Sequence, residues 1–185
     1  MAWTSPILHG KRVQLRPLGP RDTDDLYAAV NGPPAERRLT GNHRAFTYEE
    51  IAAYCASRAE KTDRVTLAIT DPDSGAYLGE VVLMDHDEPN RSAGLRIALV
   101  ADARDRGLGS ETLRLVLAHA FGPLRLHRVS LGCSISTRGP SAPTRRSGSG
   151  MRGACVTHCG GTARRTIRCS WPYWRRNEGR ARALS

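Results

Sequence analysis

The spacing of apolar residues divides the first 131 residues into eight predicted elements. Alternating apolar and polar positions indicate strands, and apolar residues three and four apart indicate helices with one buried face. On these grounds we predict strands at residues 8–18, 64–69, 77–84, 91–100 and 126–131, and helices at residues 22–30, 47–59 and 111–121. In this order one pair of strands is joined by a helix and is therefore parallel, whereas the other strands form hairpins. We therefore expect a mixed sheet with helices on both faces.

Residues with turn and cap preferences fix several of these boundaries. Asp22 is expected to cap the first helix, and Thr47 with Glu50 forms the capping-box pattern at the start of the second. The segment Asp-Pro-Asp-Ser-Gly at residues 71–75 predicts the turn of a hairpin.

The composition changes abruptly after Leu131. Residues 1–131 hold 17 basic and 17 acidic residues, whereas residues 132–185 hold 11 arginines, no lysine and a single acid, Glu178. The net charge of +10 and four of the five cysteines therefore lie in the tail. Residues 132–161 show neither helical nor strand periodicity. We predict an incomplete domain at residues 1–131 followed by a basic tail at residues 132–185, most of it disordered.

The length of 185 residues fits one domain that buries its own core without disulfides. No apolar run approaches the ~18 residues of a membrane span, and residues 1–9 lack the charged and apolar regions of a signal peptide. We therefore expect a cytoplasmic location and no membrane partner.

The segment at residues 94–121 carries the clearest chemical signal. A strand is followed by Arg104-x-x-Gly107-x-Gly109 and then by a helix that opens at Ser110. Amide groups at a helix N-terminus lack internal partners and carry partial positive charge, and glycines let the backbone approach an anion closely. Arg104 and Arg106 add charge that suits a pyrophosphate. The plainer interpretation is a tight turn that starts an amphipathic helix; neither the P-loop nor the dinucleotide fingerprint fits.

The motif resembles a known family signature. Arg104-Asp105-Arg106-Gly107-Leu108-Gly109 is similar to the Arg/Gln-x-x-Gly-x-Gly/Ala sequence of GNAT N-acetyltransferases, and its setting between strand and helix is similar too. The opening Leu8-x-Gly10-x-x-Val13-x-Leu15-Arg16-Pro17-Leu18 resembles the RimJ/RimL-like branch, as do residues 38–41, 79–83 and 90–92. The resemblance covers residues 8–131 and implies the GNAT α/β fold with a mixed sheet, its C-terminal helix and hairpin missing.

The resemblance also implies a site. Acetyl-CoA would lie between the strands at residues 94–100 and 126–131, as co-substrate for acetyl transfer to an amine, which is either a protein N-terminus or a small molecule. The implied cofactor contacts are the backbone of Ile97, Ala98 and Leu99, and the pyrophosphate loop Arg104, Arg106, Gly107, Leu108, Gly109 and Ser110. Glu80 is the candidate general base, or alternatively a solvated strand carboxylate. Asp85, His86 and Asp87 bind the amine or simply form a polar loop.

The tail departs from the family pattern. After Leu131 the family continues with a segment like Asn-Pro-x-Ala-x-x-x-Tyr-Glu-Lys-x-Gly-Phe, whose Tyr is the usual general acid; this chain has none of it. A shifted reading frame, however, is compatible with the family motif. If the third base of each codon is read together with the first two bases of the next codon, the genetic code permits V-F-D-F-N-P-R-A over residues 132–140 and Q-R-x-Y-E-K-V-G-F over residues 140–149. Our hypothesis is a single-base deletion near the codon for Gly132.

Two other interpretations of the tail remain. Cys155, His158, Cys159 and Cys169 have poor spacing for structural zinc, so we predict no metal site. The arginine pairs with Trp171, Tyr173 and Trp174 resemble a nucleic-acid-binding patch, which makes a non-enzymatic nucleic-acid binder the alternative function. Out-of-frame GC-rich sequence is also rich in arginine, so acetyl transfer is the function we favour.

Overall fold

The computed structural model describes residues 3–33, 37, 44–58, 61–134, 157–159 and 164–170. Within these ranges the chain forms one sheet and three α-helices. The strands are β1 (Leu8–His9), β2 (Gln14–Pro17), β3 (Val65–Thr70), β4 (Tyr77–Asp87), β5 (Ser92–Leu99), β6 (Arg128–Ser134), β7 (Thr157–Cys159) and β8 (Arg164–Ser170). The helices are α1 (Thr23–Val30), α2 (Tyr48–Arg58) and α3 (Leu108–Phe121).

The sheet is mixed, as the sequence predicts. Its strands lie in the order β1-β2-β3-β4-β5-β6-β8-β7. Neighbours are antiparallel except β5 and β6, which are parallel because α3 carries the chain back across the sheet between them. The single strand predicted at residues 8–18 is two short strands, since the chain turns at Gly10–Val13 and β1 pairs with β2.

Helices cover both faces of the sheet because alternate residues of each strand point to opposite sides. On β3, Leu67 joins the large core with Val116 of α3, whereas Ala68 joins a smaller cluster with Leu26 of α1 and Ile51 of α2. A residue's position along a central strand therefore decides which helices it meets.

The two predicted helix caps have different outcomes. The box at α2 is confirmed: the amide of Glu50 donates to Thr47 Oγ1 at 3.2 Å, and the amide of Thr47 donates to Glu50 Oε2 at 2.9 Å. Asp22 is the N-cap residue of α1, but its side chain makes no capping hydrogen bond. Its carboxylate is bonded to the guanidinium of Arg16 and to the amide of Gly19.

The described part of the tail corrects one expectation. The family resemblance implies that the C-terminal hairpin is missing. Instead, β6 runs to Ser134 and pairs antiparallel with β8, which pairs with β7. An open strand edge presents strong donors and acceptors, and Thr166 and Ile167 give β8 the β-branched character that suits pairing. The predicted disorder of residues 135–156, 160–163 and 171–185 lies outside the described residues.

Candidate active site

The strands β5 and β6 separate half-way along β5. Their parallel pairing covers Ser92–Leu95 of β5 against Arg128–Leu131 of β6. Beyond that point β6 remains paired with β8 on its other edge, and within the described residues Arg96–Leu99 pair only with β4. The three residues Ile97, Ala98 and Leu99 therefore border an opening in the sheet, where strand backbone is available to an extended ligand.

The loop at residues 104–107 leads to the N-terminus of α3, which lies at the C-terminal end of β5, next to the opening. Gly107 is the N-cap residue of α3 and has a left-handed backbone with φ +76°. Asp105 is also left-handed, with φ +58°. Left-handed residues within a turn are typical of the concave backbone arrangements that bind anions. The first amides of α3, at Leu108, Gly109 and Ser110, have no partners within the helix and lie beside this loop.

The side chains of this loop and of the first residue of α3 have different surroundings. Leu108 is buried in the main core, so only its backbone is available to a ligand. Arg104 donates from Nε to the carbonyl of Leu99 at 3.1 Å, which joins the loop to the end of β5. Arg106 is exposed at the surface. Arg106 thus remains the more accessible of the two predicted phosphate-binding arginines.

The structure adds Arg12 and Glu111, which sequence reasoning missed. The guanidinium of Arg12 is within hydrogen-bond distance of the carbonyl oxygens of Arg106 and Gly107 and of the carboxylate of Glu111. Arg12 is almost 100 positions from these partners, so no local pattern indicates the contact.

Glu80 lies on β4 directly opposite Ala98 of β5, on the sheet face covered by α1 and α2. Its side chain is 9% exposed. Oε1 accepts a hydrogen bond from Arg96 at 2.7 Å, and the hydroxyl of Tyr54 on α2 is 3.5 Å from Oε2. Arg96 is the charged partner that offsets the cost of burying this carboxylate. These contacts fix the carboxylate of Glu80 beside the opening. The alternative interpretation of Glu80 as a solvated strand carboxylate is therefore wrong.

Two tyrosines on this face are protonated at neutral pH. Burial, reinforced by the charge of Glu80, raises the pKa of Tyr54 to about 12. Burial, again with the charge of Glu80, raises the pKa of Tyr77 well above its usual range. Neither hydroxyl is a base under physiological conditions.

The family model described as "Acetyltransferase (GNAT) domain" matches residues 12–138, more than half of the chain. The protein belongs to the GNAT acetyltransferase family. Members of this family use acetyl-CoA. No curated protein matched the sequence.

Solved structures share the GNAT fold with this chain. A GCN5-related N-acetyltransferase from Brucella melitensis superposes with TM-score 0.66 at 22% identity, covering 94% of this chain and 86% of its own. A GNAT-family acetyltransferase from Bacillus anthracis gives 0.64 at 14% identity, with coverages of 88% and 96%. Spermidine N-acetyltransferase from Vibrio cholerae, solved in complex with CoA and spermine, gives 0.68 at 13% identity, with coverages of 89% and 99%.

The acidic segment at the end of β4 does not form the predicted loop in this GNAT domain. Asp85, His86 and Asp87 are the last residues of β4, at the end opposite to Gly79 and the opening. The ring of His86 packs on that of Trp3 at 4.5 Å, and Asp87 binds the amide and side chain of Asn90. These contacts hold the turn into β5.

Other predicted features fall outside the described residues. Segment 38–41, one of those that resemble the RimJ/RimL-like branch, lies there, as do the side chains of the tail on which the zinc and nucleic-acid interpretations rest. The part of the chain that is described holds no group of three or more His, Cys, Asp or Glu arranged for a metal ion. Nor does it contain a helix of the length and apolar character needed to cross a membrane.

Proposed function

We propose that this GNAT protein transfers the acetyl group of acetyl-CoA to a primary amine, with acetyl-CoA in the opening between β5 and β6. The observation that carries the proposal is the meeting of that opening with the left-handed Gly107 cap of α3. A strand edge next to a helix N-terminus suits a ligand with an amide-containing arm and a pyrophosphate.

In this arrangement the pantetheine arm bonds to the backbone of Ile97, Ala98 and Leu99. The pyrophosphate lies against the amides of residues 106–110, with the guanidinium groups of Arg104 and Arg106 close to its oxygens. The thioester then lies in the opening beside Ala98, the cross-strand neighbour of Glu80.

The amine nitrogen attacks the thioester carbonyl carbon, so a C–N bond forms and the C–S bond breaks. The proton lost by the amine passes to Glu80, directly or through one water, and the CoA thiolate takes up a proton as it leaves. Arg96 holds the carboxylate in place. Positioning of this kind supplies much of the rate because it removes the entropy of bringing the groups together.

The acceptor proposed is an amine of the RimJ/RimL-like class, a protein N-terminus, with a small-molecule amine as the second class to test. The spermidine acetyltransferase of Vibrio cholerae, whose fold is similar, makes a polyamine the natural small-molecule probe.

For the tail we propose that a single-base deletion near the codon for Gly132 replaced the family's Asn and Tyr. The match to the family model ends at residue 138, shortly after this position. Sequencing the gene across this codon tests the proposal. In-frame codons incompatible with the strings given above would rule it out; a deletion there would make the restored chain the reference for activity, which we expect to be higher because the general-acid Tyr returns.

The first experiment on function is thermal unfolding of the full chain with and without millimolar acetyl-CoA. A ligand that binds only the folded state stabilises it by about 2.7 kcal/mol at a hundredfold excess over Kd. A raised melting temperature, followed by thiol release in the presence of an N-terminal peptide or spermidine, is expected. A melting temperature that acetyl-CoA leaves unchanged would contradict the proposal, provided that desulfo-CoA and CoA give the same null result.

A further inference from the structure

The turn between β1 and β2 contacts the first turn of α3. The amides of Lys11 and Arg12 both donate to Glu111 Oε1, at 2.6 and 3.0 Å, and Arg12 Nε donates to Glu111 Oε2 at 3.1 Å. Gly10 makes room for this contact, since a Cβ there would lie 2.6 Å from Glu111 Oε1. Glu111 is therefore enclosed by a turn that is distant from it in sequence.

The same guanidinium reaches past Glu111 to the loop before the helix. Arg12 Nη1 is 2.8 Å from the carbonyl oxygen of Arg106, and Nη2 is 3.4 Å from that of Gly107. One side chain thus joins a carboxylate on α3 to two consecutive carbonyl groups of the loop.

The direction of those carbonyls decides the direction of the neighbouring amides. In a planar trans peptide the C=O of one residue and the N–H of the next point in opposite directions. Because the carbonyls of Arg106 and Gly107 are turned toward Arg12, the amides of Gly107 and Leu108 are turned away from it. These are two of the donors available to an anion at the start of α3.

We propose that Arg12 and Glu111 are positioning residues for acetyl-CoA, which fix the loop so that its amides face the pyrophosphate without binding the cofactor themselves. This inference rests on the proposed function, because it presumes that the loop holds that pyrophosphate. It adds to that function two residues from outside the glycine motif.

The ionisation of Glu111 fits this role. Burial acts to raise the pKa of Glu111, but hydrogen bonds from the amide and guanidinium of Arg12 and from the amide of Lys11 outweigh burial and hold the pKa below its usual value. The carboxylate is thus charged at neutral pH, and Arg12, whose side chain is 56% exposed, offsets it.

Glu111→Gln separates positioning from simple charge. If charge alone mattered, removing a negative group near the phosphates would tighten acetyl-CoA binding. If Glu111 positions Arg12, the NH₂ group that the substitution introduces faces the donor Nε of Arg12, the guanidinium moves, and the Kd for acetyl-CoA rises by about three- to tenfold. An unchanged or lower Kd would overturn the inference.

The test uses the full chain, with Kd from calorimetry and kcat/KM for both acetyl-CoA and S-acetylpantetheine, which lacks the pyrophosphate. Arg12→Met and Glu111→Gln should each lower kcat/KM for acetyl-CoA while leaving that for S-acetylpantetheine unchanged, and the double variant should lose no more than either single one. Equal losses for both substrates would overturn the inference. The ratio of the two values is independent of the folded fraction, so partial unfolding does not obscure it.

Arg64→Met is the matched control. Arg64 also forms an ion pair, with Asp63 at 2.7 Å, but precedes β3 at the end of the sheet away from Gly79. For Arg64→Met, the ratio of kcat/KM for acetyl-CoA to kcat/KM for S-acetylpantetheine should equal that of the unaltered chain. Absence of acetyl-CoA binding by the unaltered chain would refute the proposed function itself, whereas normal binding with unaffected variants would refute only the positioning role.

Discussion

The guanidinium of Arg16 on β2 is bonded to both carboxylate oxygens of Asp22, at 2.9 and 2.6 Å, beneath the start of α1. Asp22 is 1% exposed. Parallel bonds between a guanidinium and a carboxylate are strong and directional. This buried pair attaches α1 to the sheet and accounts for the absence of a side-chain cap from Asp22.

Removing one member of this pair should destabilise the fold strongly. Arg16→Met leaves the Asp22 carboxylate buried with only the amide of Gly19, which we expect to lower the free energy of unfolding by about 3 kcal/mol or more. Urea denaturation of the full chain measures the change. The double variant Arg16→Met, Asp22→Leu should recover part of the loss, and a single variant as stable as the unaltered chain would show that the pair contributes little.

Gly107→Ala should damage the loop before α3. The left-handed φ of +76° costs a residue with a Cβ about 1–2 kcal/mol, and that Cβ would lie 3.0 Å from Arg12 Nη2. We expect a lower melting temperature and weaker acetyl-CoA binding. Gly19→Ala is the control, because its φ is −153° and a Cβ there meets nothing within 4 Å. Equal stability of the two variants would contradict the strain argument.

Glu80→Gln tests the general base. The amide preserves the size of the side chain and its contact with Arg96 but cannot take up the amine proton, so kcat should fall roughly 100-fold or more. The rise in melting temperature caused by acetyl-CoA should persist. Glu49→Gln removes the same charge from the first turn of α2 and controls for it. A kcat equal to that of the unaltered chain would show that water or another group, and not Glu80, is the general base.

His119 on α3 should make stability depend on pH. Burial lowers the pKa of His119 below its ordinary 6.5. Below pH 6.5 the unfolded chain therefore binds a proton that the folded chain does not, and the free energy of unfolding decreases as pH falls toward the lowered pKa. Above pH 6.5 this contribution is constant. Chemical denaturation of His119→Gln should show a flatter pH profile; an identical profile would exclude His119 as the source.

The architecture was largely predictable because periodicity and turn chemistry are local. Three helices, the β3–β4 hairpin and the parallel crossover through α3 follow from apolar spacing and from the turn at residues 71–75. The box of Thr47 and Glu50 follows for the same reason, since its partners are three residues apart.

The contacts around the candidate site were less predictable because their partners are distant in sequence. The pairing of Glu80 with Arg96 depends on the β4–β5 register, and that of Arg12 with Glu111 depends on how the first turn meets α3. Asp22 is a nearer case: its sequence position favours a cap, but Arg16, six residues earlier on β2, competes for its carboxylate. The strands β7 and β8 carry too weak a pattern to be recognised without the open edge of β6.

The close approach of β4 to β5 at Gly79 has a consequence for protein engineering. A Cβ at Gly79 would overlap the carbonyl oxygen of Ala98, so the register that places Glu80 opposite Ala98 depends on glycine. With that register kept, Ala98 can be varied on the face under α1 and α2, while Glu80 stays opposite it and the neighbouring Val81 stays in the core beneath α3. Acceptor preference could therefore be redesigned on one face without repacking the other, whereas a one-residue deletion in β4 would exchange the two sets of side chains.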